Sequence, residues 1–169
     1  MRPGEEMNLE EQARQLLQQG RILDAEKLFE RLLESRPDHV QALNVLALAS
    51  LREGNAVRAT QLIERAAAAD PQDPLSAHHL GRIRDTSGDL AGAIAAHRRA
   101  VSLRPDFHAS RIHLAEGLER SGEIRQAVIH YARALQDAQA QGRWLNPATT
   151  PEALRPLVEH AVLAVRSGR

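Results

Sequence analysis

Apolar positions recur along this chain at helical spacing, in blocks that repeat. Leu9, Leu16 and Leu17 form one stripe and Leu28, Phe29, Leu32 and Leu33 the next; Leu43, Leu46, Ala47 and Leu51 follow. The pattern predicts short amphipathic helices in pairs. The first runs from a capping pair at Asn8 and Glu11, after a frayed leader over residues 1–7, to about Gln19. The second covers about 22–35, and Asp38 is the expected cap of the third. Four glycines punctuate the pairs, Gly20, Gly54, Gly88 and Gly122, at a constant spacing of 34.

Other ladders share that register. Small residues Ala13, Ala47, Gly81 and Ala115 precede each glycine by seven, and Ala25, Ala59, Ala93 and Ala127 follow it by five. Leu32, Ala66, Ala100 and Ala134 form a further small or apolar row, and Pro37, Pro71 and Pro105 close the first three blocks. Small side chains let two antiparallel helices approach closely. Glycine ends helix A, because a left-handed residue is sterically cheap only without a Cβ. Proline ends helix B, because it lacks the donor that would extend it.

A period of 34 with these sites resembles the tetratricopeptide repeat. The resemblance covers residues 6–39, 40–73, 74–107 and 108–141. It implies an all-α solenoid of four helix-turn-helix units, with A helices lining a concave face, and a single domain over 1–169. One unit cannot bury its apolar face alone; stacked neighbours can.

Two regions depart from the period. In the third unit, Arg84 stands where Leu16 and Leu118 stand, His97 where Phe29, Ile63 and Tyr131 do, and Ala77 where Leu9 and Leu43 do. After unit four, which has Gln139 at the proline site, helix B is expected to run to about Gln141. A loop with Arg143, Trp144 and Pro147 follows. Thr150 and Pro151 then open an amphipathic helix with Leu154, Leu157, Val158, Ala161, Val162 and Val165 at helical spacing, which would cap unit four. Pro156 is awkward inside it, so regular helix is alternatively expected from near Arg155. The stretch from Gln141 to Val158 also resembles the segment joining a repeat array to the catalytic domain of bacterial aspartyl/asparaginyl β-hydroxylases. The iron- and 2-oxoglutarate-dependent domain of that family has no counterpart in these residues.

Composition narrows the classes. Lys plus Arg and Asp plus Glu are each 22, so formal charge is zero. A neutral chain argues against a general nucleic-acid binder. Cysteine is absent, which removes disulfides, thiolate metal sites and a cysteine nucleophile. No apolar run suggests a membrane span or a signal peptide, so the default expectation is cytoplasmic. No phosphate loop, nucleophile elbow or His-x-x-x-His pair occurs, so no enzyme activity and no cofactor are expected.

Candidate chemistry therefore sits on the inner face of the A helices. The register places Glu10, Asn44, His78 and Ile112 in one row, and Val45, His79 and His113 in the next. Arg14, Leu48, Arg82 and Glu116 form a third row, and Leu17, Leu51, Asp85 and Glu119 a fourth. Asn44, Leu48, His78, His79, Arg82, His113 and Glu116 are the expected ligand contacts. His78, His79 and His113 invite a metal, but adjacent residues 78 and 79 point about 100° apart on a helix, and no metal site is assigned. The clamp by which some tetratricopeptide proteins grip chaperone C-termini needs Lys and Asn residues that neither frame supplies. One frame has Glu10, Arg14, Val45, Leu75 and His79; the other has Asn44, Leu48, His79, Ala109 and His113.

The function expected is a non-catalytic scaffold that binds a protein or peptide in the groove. Two alternatives remain open: an accessory binding domain of a hydroxylase-like enzyme, and a self-assembly module. The second would form a homodimer through the final helix, sharing Trp144 and the Leu154, Val158 and Val162 stripe.

Overall fold

The structure is a computed structural model that describes residues 3–141 and 151–166. Every element among the described residues is an α-helix: α1 (Pro3–Gln18), α2 (Ile22–Ser35), α3 (Val40–Arg52), α4 (Ala56–Ala69), α5 (Pro74–Thr86), α6 (Leu90–Leu103), α7 (His108–Arg120), α8 (Ile124–Gln141) and α9 (Pro151–Arg166). They fall into two compact units, Met1–Ile83 and Arg84–Arg169. Helix α5 crosses the division, with its last residues in the second unit.

The four glycines of the ladder end α1, α3, α5 and α7 with φ of 73°, 78°, 81° and 86°, and no other described residue has positive φ. Each turn closes with a backbone bond from the residue after the glycine back into the helix. Arg21 N–H meets the Leu16 carbonyl at 2.9 Å, and Asn55 N–H meets that of Ser50 at 2.8 Å. That closure satisfies carbonyls which the helix end leaves open.

Unit 1 buries Ala13, Ala25, Phe29, Leu32, Leu43, Leu46, Ala47, Ala59, Ile63 and Ala66, so the predicted small-residue ladders are the contact between paired helices. Unit 2 has its own core of Ile94, Leu114, Ala115, Leu118, Ala127, Tyr131 and Ala134. Helix α9 packs on α8, and Val158 joins this second core, as the expected cap would.

Two helix-start expectations change, and the choice between two starts for the last helix is decided. Helix α1 begins at Pro3, so residues 3–7 are helical and not a leader. Proline at a first helical position forfeits no bond and has φ preset. Asn8 therefore lies inside α1, and its Oδ1 accepts from Gln12 Nε2 at 2.8 Å instead of capping the helix. The cap of α3 is His39 and not Asp38: its Nδ1 accepts from Ala42 N–H at 3.2 Å. Helix α9 starts at Pro151 and continues through Pro156, which is exposed. The Trp144 loop lies outside the described residues.

Candidate functional site

The inner-face residues of unit 1 divide into a buried network and an open groove. Asp73 sits just before Pro74 and caps α5, its carboxylate accepting from Leu75 N–H at 3.1 Å and Ser76 N–H at 2.9 Å. The Ser76 hydroxyl donates to the same carboxylate at 2.5 Å. Asn44, from α3, donates through Nδ2 to Ser76 Oγ at 2.8 Å and to Asp73 Oδ2 at 3.2 Å. Its Oδ1 faces His79 Nδ1 at 3.1 Å. Asn44 is thus committed on both ends to tying α3 to α5.

Electrostatics follow from that packing. Burial works to raise the Asp73 pKa, but the hydrogen bonds from Ser76, Leu75 and Asn44 outweigh it and hold the carboxyl below its ordinary value. His79 is pushed down to about 4, first by burial and then by the nearby Arg82 charge, against a smaller opposing pull from Asp73. It is neutral at pH 7. His78 is also buried, with its ring centroid 5.5 Å from that of His79.

Leu48 and Arg82 behave differently. They line a groove of about 530 Å³ together with Leu17, Ile22, Val45, Ala49 and Leu51, and with Glu26 and Arg52 at one side. Arg52 donates to Glu26 at 2.7 Å, and the side chains of Arg52 and Arg82 are both exposed. A larger hollow of about 1000 Å³ lies between α2 and α4. The Arg58–Glu30 ion pair, at 2.9 Å, lines it along with Glu34, Glu64 and Arg65, so it offers less apolar surface to a ligand.

His113 and Glu116 belong to unit 2. His113 Nδ1 lies 3.0 Å from Glu116 Oε2, and its ring stacks on buried His97 at 5.2 Å. Among the described residues, no group of three or more His, Asp or Glu side chains is placed to hold a metal ion. No described helix is long and apolar enough to cross a membrane.

The sequence rows anticipated Leu17, Val45 and Leu51 of the groove. They missed Ile22 and Glu26, which come from helix B of the first repeat and so lie outside any A-helix register. Asp73 and Ser76 were also missed, although an Asp directly before Pro74 is a capping signature.

Two tetratricopeptide repeat family profiles match the chain, over residues 10–74 and 76–107, and together they take in more than half of it. No curated protein sequence matches significantly. Among solved structures, an O-GlcNAc transferase of Thermobaculum terrenum is 30% identical with a TM-score of 0.69, over 80% of this chain and 26% of that one. The chain thus spans about a quarter of the transferase chain. MamA of Desulfovibrio magneticus is 24% identical with a TM-score of 0.68, over 82% of this chain and 78% of that one. A MamA variant is 19% identical with a TM-score of 0.74, over 98% of this chain and 89% of that one.

Proposed function

The chain belongs to the tetratricopeptide repeat family, and from that premise we propose that it is a non-catalytic scaffold whose unit 1 groove holds a peptide segment of a partner protein. The groove at Leu48 and Arg82 carries this reading. Its walls are aliphatic and the exposed guanidinium of Arg82 stands beside them, which suits an apolar anchor side chain with a carboxylate nearby. Asn44 and His79 support the site from behind, by fixing α3 against α5. Three of the proposed contacts, His78, His113 and Glu116, stay secondary to Leu48 and Arg82, because His78 is buried and His113 and Glu116 pair with each other.

The test is a selection of displayed peptides on the intact chain, followed by calorimetric affinities for wild type and for L48E and R82E. Loss of about tenfold or more in each variant, with an unchanged thermal midpoint, is the expected result. Affinities equal to wild type in both variants overturn it. Gln61, in the α2–α4 hollow, serves as the control: Q61A should bind as wild type does.

One observation favours a second reading, an accessory domain of a larger enzyme. The transferase match shows a similar array forming 26% of an enzyme chain. The hydroxylase form of this reading rests on residues 141–158, of which 142–150 lie outside the described residues. The likeness to MamA, at 24% identity or less, supports the fold alone. The self-assembly reading loses part of its stripe, because Val158 is engaged within its own chain.

A further inference from the structure

The buried network of unit 1 leaves one hydrogen-bonding atom over. Asn44 Nδ2 donates to Ser76 Oγ at 2.8 Å and to Asp73 Oδ2 at 3.2 Å, so the amide oxygen is the end of Asn44 that meets His79. An amide oxygen only accepts. His79 Nδ1, 3.1 Å away, therefore carries the ring proton, and Nε2 keeps a lone pair. The support that His79 gives the groove from behind uses Nδ1 alone.

Nε2 is not spent inside the fold. The ring meets Asn44 through Nδ1 and lies 5.5 Å from the ring of His78, and neither contact is a hydrogen bond to Nε2. His79 keeps 8% of its surface exposed. Among the described residues, the fully enclosed side-chain nitrogens without a hydrogen-bond partner belong to His97, His108, Arg111 and His130, and none to His79. The small accessible part of this largely buried residue thus includes an acceptor that no donor meets.

Its place in the fold ties that acceptor to the groove. His79 precedes Arg82 by three residues on α5, so the two share a helix face one turn apart. Arg82 lines the groove. On α3, Asn44 adjoins Val45, and Val45 and Leu48 are groove walls. The His79 ring therefore borders the groove one turn before Arg82. A largely buried acceptor is costly to leave without a donor, so a ligand that brings one gains by it.

The donor has a definite chemistry. A carboxylate would set acceptor against acceptor. An ammonium or guanidinium would donate, but beside the like charge of Arg82. A neutral donor meets neither objection.

We propose that His79 Nε2 accepts a hydrogen bond from a neutral donor side chain of the bound peptide, a carboxamide or a hydroxyl, placed next to the apolar anchor. This inference rests on the groove reading above and adds the class of residue that the groove selects.

Two substitutions separate the roles of the two ring nitrogens. In H79N the short amide reaches the Nδ1 position and can still donate to Asn44, but nothing reaches the Nε2 position. In H79Q the longer side chain brings its amide oxygen to the Nε2 position and leaves Asn44 without its donor. Peptide libraries with a leucine anchor, an aspartate and one randomised position between them are selected on the full chain as wild type, H79N, H79Q and L48E. Wild type and H79Q should enrich Asn, Gln, Ser or Thr at the randomised position, and H79N should not. Calorimetry with a wild-type-selected peptide should show a loss of about fivefold or more in H79N and of about twofold or less in H79Q. The thermal midpoints should run the other way, with H79Q the lower, whereas a merely structural role would move affinity and midpoint together. NMR of the wild-type chain reads the bond without any substitution: the His79 Nε2 signal should move toward its protonated position when the peptide binds. Enrichment that L48E abolishes and H79N leaves unchanged, enrichment of charged residues at the position, or a stationary Nε2 signal overturns this inference and spares the groove. If no enrichment depends on Leu48, the groove reading falls and this inference with it.

Discussion

Asn44 Oδ1 meets His79 Nδ1 at 3.1 Å and joins α3 to α5. Because Asn44 Nδ2 already donates to Ser76 and Asp73, its oxygen is the acceptor, and His79 must carry its proton on Nδ1. The imidazole is held neutral, with its pKa near 4. An unfolded chain takes up that proton near the ordinary pKa of about 6.5. Stability is therefore complete above pH 6.5 and declines as pH falls from 6.5 toward 4, by up to about 3 kcal/mol. His130, also lowered by burial, acts in the same direction. Denaturant melts at pH 7 and pH 4.5 check this. H79N keeps a donor at the Nδ1 position and cannot titrate, so its decline should be shallower than that of wild type.

The cap of α3 separates two neighbouring residues. His39 accepts from Ala42 N–H through Nδ1, and its Nε2 lies 3.0 Å from Glu10 Oε2. Asp38 is exposed and caps nothing. H39A should cost about 1 kcal/mol or more, while D38A should stay within about 0.5 kcal/mol of wild type. Urea midpoints of the two variants decide between them; equal losses would reinstate Asp38 as the cap.

The glycine ladder makes a conformational prediction. Gly54 has φ of 78° with open space where a Cβ would stand, so only backbone strain opposes a side chain there. G54A should cost about 1–2 kcal/mol, read as a lower thermal midpoint. A midpoint equal to that of wild type would show that the turn can relax into another conformation.

The fold was legible because the repeat imposes its constraint four times. Each glycine, small residue and proline is read against three others, so a local exception does not hide the register. Caps and sites lack that redundancy. His39, Asp73 and Phe107 occupy one register position with three different side chains, and only contacts show that two of them accept a hydrogen bond. Asn44 illustrates the limit for the site. Its helical phase placed it on the inner face, but phase does not reveal that Asp73, Ser76 and His79 close over it. Arg111 was equally visible as a break in the Leu9, Leu43 and Ala77 column, yet a column has no record of the carboxylate at Asp137.

A last prediction concerns a close approach in unit 2. A Cβ built on Gly117 of α7 would lie 2.9 Å from Ile94 Cγ1 of α6, and Ile94 is buried in the same core as Leu114 and Leu118. Alanine at an exposed helical position would stabilise by about 1 kcal/mol relative to glycine. Here it must displace Ile94 in a packed interior, and overpacking costs about 1–3 kcal/mol. G117A should therefore be neutral to destabilising in the wild-type chain. In an I94A background the obstructing atoms are gone, the helical preference acts alone, and the same substitution should stabilise. The sign change across the double-mutant cycle measures the contact directly. A substitution that stabilises equally in both backgrounds would show that Ile94 moves aside without cost, and that the α6–α7 spacing is not set by this glycine.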